Sequence, residues 1–381
     1  KPATVSLVMI CGDAHRDILA RAVGSVLDYP QPLVDEIVVC WNGQNPSPIV
    51  CGDVSGVPLR QYLQVWRGDF GAARTESFSH ATCDWIFWLD ADDVLATKPT
   101  RRHGPLLNYP LGHYLNKIDA QIVQVWTPYR YKEDPEEWQL HPRILRRDVD
   151  WRSVGVAHEE FECCAAEAPW TVLPSLQIWH QPVESEAQRQ DRNVAILDAA
   201  IGRGEATPLI LYYKARALED VGDLKGATRL YEGALANALS HSRWRRHTYQ
   251  IAMMASTCTL RSKDYKLSAK FSAVVLQRRP DLPEAHNVHG VALALGGAFV
   301  DAATAFDLGM ATTAKIARGE PVVRFNEFPD FEEGSPIVMA CRGQAYMEVG
   351  RSPEALRSLR MIPPSERGPE IAEMIKVLLH R

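Results

Sequence analysis

Trp85-Ile86-Phe87-Trp88-Leu89-Asp90-Ala91-Asp92-Asp93 is the stretch on which the reading of this chain turns. Its apolar run reads as a buried strand, and three carboxylates follow at the carboxyl end. Continuous apolar strands belong to largely parallel sheets covered on both faces, and such sheets bind ligands beyond the carboxyl ends of their strands. Asp90 and Asp92 are two residues apart, so in an extended segment both can face one side. Hard divalent cations such as magnesium and manganese favour oxygen donors and keep places for water and substrate phosphate. A single aspartate at this point would also serve as a helix N-cap; three exceed what one cap requires.

Outward from this strand, short apolar runs alternate with helical patterns. Val5–Cys11 reads as a strand bounded by Gly12-Asp13, with a helix from Arg16 to Leu27 ending before Pro30. Glu36–Cys40 is a second buried strand, closed by the turn signal Asn42-Gly43. A helix from Gly71 to Ala81 leads into the Trp85 strand. The expected fold class is α/β.

From about Ser185 the strand signals stop and an internal repeat takes over. Four turns, at Gly222, Lys263, Gly297 and Gly350, align it. Small residues stand seven places before each (Ala215, Ser256, Gly290, Gly343) and five places after (Ala227, Ser268, Ala302, Ala355). Nine places after come Tyr231, Ser272, Phe306 and Leu359. Small residues let the two helices of a hairpin approach, and large ones are expected to fill the gap between hairpins. Lys263 to Gly297 is 34 residues, the tetratricopeptide period. The larger interruption falls around Arg318–Ser335. The boundaries expected are 1–182 for a catalytic domain, 183–207 for a helical linker and 208–381 for helical repeats.

The 381 residues suggest two domains, and 46% hydrophobic with 23% charged residues is ordinary for a globular protein. A net charge of −5 argues against bulk electrostatic binding to nucleic acid. The cluster Arg243, Arg245, Arg246 and His247 reads as a solvated helix face. Eight cysteines include no Cys-x-x-Cys pair; Cys11, Cys40 and Cys83 read as small core residues, and the adjacent Cys163 and Cys164 are poorly placed to bridge. That pattern points to a reducing, cytoplasmic setting. Val5–Cys11 is far shorter than the ~20 residues of a membrane span, and the chain starts at Lys1, which leaves an upstream segment open.

Two further segments carry candidates. In Trp151–Glu160, Glu159 can deprotonate an acceptor hydroxyl or thiol, and the adjacent His158 is a ligand, an orienting partner or a polar residue satisfied by its surroundings. His180, in Ile178-Trp179-His180-Gln181-Pro182, closes the region and either reaches back to a metal or bonds to backbone.

In their order, Val5–Cys11, Asn42-Gly43, Phe70-Gly71-Ala72-Ala73-Arg74, Asp84 through Asp93 and the later His-Glu pair resemble glycosyltransferase family 2, with its GT-A fold. Closest in pattern is the subgroup that adds a tetratricopeptide region. It includes bacterial lipopolysaccharide-core transferases and enzymes that glycosylate cysteine or serine of bacteriocin peptides. The resemblance implies that Asp92, with Asp90, holds Mn2+ or Mg2+ and the diphosphate. It sets Arg74 beside the nucleobase or phosphate, with Cys11, Asp13, Asn42 and Asp90 on the donor side. It makes Glu159 the catalytic base and His180 the metal-binding histidine, with His158 as the rival. One departure stands out: the family's Asp-Asp-Gly-Ser is here Trp41-Asn42-Gly43-Gln44. The usual uridine-contacting carboxylate is missing, which opens the choice of nucleotide, although a UDP-sugar remains the first expectation.

The function expected is inverting transfer from a nucleotide sugar to a peptide, protein or glycan. A DNA-modifying glycosyltransferase, a nucleotidyltransferase and a non-catalytic tetratricopeptide protein are the rivals. The repeats, which form extended concave surfaces, are expected to select the acceptor or to join copies of the chain.

Overall fold

Seven consecutive buried residues, Val5–Cys11, form β1, the strand at the heart of a ten-stranded sheet. The computed structural model describes residues 1–13, 16–43, 52–96, 105–131, 139–163, 168–318 and 331–379; Gln44, Cys51, Cys164 and most of the interruption before Ser335 lie outside them. After β1 come α1 (Arg16–Leu27), β2 (Glu36–Trp41), β3 (Gly52–Val54), β4 (Val57–Leu63), α2 (Phe70–Ser79), β5 (Trp85–Asp90) and β6 (Asp93–Leu95). They are followed by α3 (Leu111–Leu115), β7 (Gln124–Tyr131), β8 (Gln139–Arg146), β9 (Arg152–Val154), β10 (Glu160–Glu162), β11 (Trp170–Val172), β12 (Ile178–His180) and α4 (Glu186–Gly202).

The sheet runs β3-β4-β2-β1-β5-β8-β7-β12-β6, with β11 also on β7. From β4 to β5 it is parallel, as expected. Beyond β5 it is mixed, because β8 and β7 form an antiparallel pair on its flank. Alternation along β1 explains its complete burial. Leu7 and Met9 pack with α1 and α3 through Leu19, Val26 and Leu111. Val8 and Ile10 face the other way, toward Phe78 of α2 and Trp151. Among the described residues no disulfide is formed, and no helix is long and apolar enough to cross a membrane.

Contacts divide the chain into Lys1–Arg203 and Gly204–Arg381. The second unit is helical: α5 (Pro208–Asp220), α6 (Leu224–Ser240), α7 (Thr248–Arg261), α8 (Tyr265–Arg278), α9 (Pro283–Leu295), α10 (Phe299–Ala317), α11 (Pro336–Glu348), α12 (Ser352–Met361) and α13 (Pro369–Leu379). The aligned turn positions are its hairpin corners. Gly222, Gly297 and Gly350 take φ of +83°, +82° and +81°, and Lys263 takes +63°. This left-handed conformation suits glycine and costs a side-chain-bearing residue about 1 kcal/mol or more. The small residues sit where the helices of a hairpin come close. Ser256 and Ser268 exchange hydrogen bonds, and a Cβ at Gly290 or Gly343 would lie 2.8 Å from Phe306 or 2.5 Å from Leu359. Thus Phe306 and Leu359 fill space inside their own hairpins, where a filling role between hairpins was expected.

Two substitutions check this geometry by urea denaturation. Gly343→Ala should destabilise by about 1–3 kcal/mol through overpacking against buried Leu359. Lys263→Gly should instead stabilise, by about 0.5–1 kcal/mol, by relieving a left-handed lysine.

Candidate active site

The strands β1, β2 and β5 end on one side of the sheet, and a cleft of about 610 Å³ opens there. Its walls include all nine sequence candidates: Cys11, Asp13, Asn42, Arg74, Asp90, Asp92, His158, Glu159 and His180. Residues 80 to 170 positions apart in sequence therefore meet in one place.

Arg74 is set by the start of α2. Asp69 caps that helix by accepting the Ala72 N–H at 2.8 Å. A Cβ at Gly71 would lie 2.7 Å from the Gly155 carbonyl oxygen, so only glycine lets the helix dock on the turn that carries His158 and Glu159. One turn on, the buried Arg74 guanidinium donates from Nε to Glu159 (3.0 Å) and from Nη2 to Asp90 (2.7 Å). Arg143, buried on β8, approaches the other Asp90 oxygen at 3.4 Å and Asp93 at 3.1 Å. Both guanidiniums lie over the Trp88 ring, at 4.2 and 3.7 Å from its centroid. Burial works to raise the Asp90 pKa, but Arg74 and Arg143 outweigh it and hold the carboxyl well below the usual range.

Asp93 is fully buried. It accepts from the Tyr129 hydroxyl at 2.9 Å, from the Asp90 N–H at 3.1 Å and from Arg143, and it faces His180 Nδ1 at 3.0 Å. Asp92, its neighbour, is 3.6 Å from the same His180 nitrogen. Ligand atoms of Asp92, Asp93 and His180 all lie within 4.8 Å of one another. Two carboxylates and an imidazole suit a divalent cation such as manganese or magnesium. Burial opposes charge on His180, but Asp93, Asp92 and Asp90 around it raise its pKa. His180 Nδ1 faces Asp93, and an Nδ1–H donated there would leave the lone pair on Nε2. Asp90 is not in this cluster; its oxygens face the two arginines.

Among the residues expected to bind the donor, a Cβ at Gly43 would fall 2.1 Å from an Asp13 carboxylate oxygen, so the Asn42-Gly43 turn and Asp13 are in close contact. The buried Asn42 Oδ1 has no hydrogen-bond partner among the described residues. Cys11 is buried, its thiol 3.5 Å from the Gly12 carbonyl oxygen. His158 is exposed, in a left-handed conformation (φ +57°), with Nε2 3.4 Å from Asn193 on α4. That contact shows what sequence reasoning missed: α4 lines the cleft through Arg189, Arg192, Asn193, Ile196 and Ala199. Arg143 and Tyr129 were missed as well, since both sit in strands interrupted by proline.

Residues 6–161 match the family model for glycosyl transferase family 2. The N-terminal unit thus carries a family 2 glycosyltransferase domain, followed by tetratricopeptide-like helical hairpins. A TPR repeat-containing protein of Synechococcus elongatus is 38% identical over 129 residues, covering 33% of this chain and 30% of that protein. The SPbeta prophage-derived glycosyltransferase SunS of Bacillus subtilis is 19% identical over 190 residues, covering 48% of this chain and 43% of its own length. The chain spans less than half the length of the curated relatives it matches. The solved structure of YrrB, a TPR protein with an unusual peptide-binding site, is similar at 16% identity over 51% of this chain and 84% of its own, with a TM-score of 0.36.

Asp93→Ala should remove about 3–5 kcal/mol of stability in denaturant titration, because it leaves Arg143 without its closest carboxylate in a buried setting. Asp92→Asn should stay within about 1 kcal/mol of the parent protein.

Proposed function

We propose that the N-terminal unit transfers a sugar from a nucleotide-sugar donor to an acceptor hydroxyl or thiol, with inversion at the anomeric carbon. The observation that carries this reading is the Asp92–Asp93–His180 cluster beside a cleft lined by every donor-side candidate. Asp92 and His180 would hold the cation, and Asp93, engaged by Tyr129 and Arg143, would orient His180 from behind. When bound, a divalent ion neutralises charge on the departing nucleoside diphosphate.

The remaining work belongs to the chain's own groups. Glu159 Oε1 accepts from Arg74 Nε, and its second oxygen is the atom to take the acceptor's proton as the acceptor bonds to the anomeric carbon. The bond from that carbon to the diphosphate oxygen breaks, and its electron pair leaves with the diphosphate. Arg74 fixes Glu159 and Asp90 in one geometry, so the base and the donor side stay in register. The carboxamide of Asn42 complements a base edge that pairs an N–H with a carbonyl, as uracil does. UDP-sugars are therefore the first donors to try. The acceptor class we favour is a peptide, protein or glycan, selected by the helical hairpins.

A panel of nucleotide sugars with manganese or magnesium, read by donor hydrolysis and thermal stabilisation, tests the reading. Activity should vanish in chelator and in Asp92→Asn, while the melting temperature of that variant stays near the parent's. Glu159→Gln should lower transfer by roughly 100-fold or more and leave nucleoside-diphosphate binding within a few-fold. Full activity in chelator would remove the metal from this scheme, and full activity of Glu159→Gln would remove the base.

A further inference from the structure

Cations along the cleft are almost all matched to carboxylates. Arg74 engages Asp90 and Glu159, and Arg192 pairs with Glu184. Behind the cleft wall, Arg143 engages Asp90 and Asp93. His180 sits against Asp92 and Asp93. Arg189 of α4 differs. The residue lines the same cleft and is half-buried, and its Nη1, shielded from solvent, has no hydrogen-bond partner among the described residues. Buried polar groups in native proteins are nearly always partnered, and a buried charge without one is costly. An anion arriving in the cleft would remove that cost.

We propose that Arg189 binds the diphosphate of the donor and holds it as it leaves. The inference rests on the nucleotide-sugar reading given above and assigns a residue that neither the motifs nor the family match points to. Charge supports it. A nucleoside diphosphate is strongly anionic, and a divalent ion held by the Asp92 carboxylate leaves part of that charge unbalanced. The guanidinium of Arg189 supplies positive charge and offers the paired N–H donors that suit phosphate oxygens. Placement supports it too. Arg189, Arg192, Asn193, Ile196 and Ala199 recur at helical spacing and form one face of α4 toward the cleft. The capping box of Ser185 and Gln188 fixes the start of that helix, so Arg189 projects from a defined first turn.

The test compares binding of UDP, GDP, ADP and CDP, each with manganese, and of the matching nucleosides, by calorimetry on the full chain. For the diphosphate that binds the parent protein, Arg189→Ala should weaken affinity roughly 10- to 100-fold, with the nucleoside bound as before. Arg189→Lys should recover part of the loss. Without ligand, Arg189→Ala should melt close to the parent temperature, because the half-buried side chain makes no ion pair and its Nη1 no hydrogen bond among the described residues; a purely structural arginine would lower it. Equal diphosphate affinity in parent and Arg189→Ala overturns the role of Arg189 and leaves the transferase reading standing. A parent protein that binds none of the four overturns both. Should Arg189→Ala melt well below the parent, the role falls unless Arg189→Gln melts normally and shows the same selective loss of diphosphate.

Discussion

One buried carboxylate holds the cleft end of the sheet together. Asp93 takes donors from β7 (Tyr129), β8 (Arg143) and the last residue of β5 (the Asp90 N–H), and it meets His180 on β12. Its backbone is paired with His180 across the β6–β12 ladder. Residues of four strands, β5, β7, β8 and β12, thus converge on one side chain. A carboxylate in a dry interior is tolerated only when its oxygens are matched by donors, so the position of each strand is constrained by the others. The cleft inherits that rigidity. Asp92 precedes Asp93, Asp90 shares Arg143 with it, and Arg74 shares Asp90, so displacement at one point would disturb the rest.

Much of the sheet was legible because its central strands are uninterrupted apolar runs. Val5–Cys11 and Trp85–Asp90 are buried on both faces and can be read as strands without periodicity. The flank was not legible. β7 contains Pro128 and β8 contains Pro142, and a proline inside a run ordinarily argues against a strand. Here they fall in an antiparallel pair with a register shift at Val125/Trp126. With those strands unseen, Arg143 and Tyr129 had no address, and the partners of Asp90 and Asp93 could not be named. Nor does spacing distinguish Asp93 from Asp90. Only the fold shows that Asp93 meets His180 and Asp90 meets two arginines.

The hairpin corners were the most direct inference, because a left-handed corner demands glycine or tolerates little else, and three of four are glycine. α4 was read as a linker for the opposite reason. Its sequence is polar around most of its circumference, and the face made by Arg189, Arg192 and Asn193 looks like a solvated surface until the cleft beside it is known.

Within the helical unit, apolar contacts form two clusters, and α9 belongs to both: Ala285 and Val288 lie in the first, Val291 and Ala294 in the second. Stacked hairpins usually melt by nearest-neighbour coupling, each layer lending stability only to the next. A helix that serves as wall to two cores makes that coupling stiff at one point. The blocks on either side of α9 gain little by fraying separately, since opening either one strips solvent protection from the same helix. The shared helix therefore ties the two cores together, despite the lengthened and irregular spacing of the repeats.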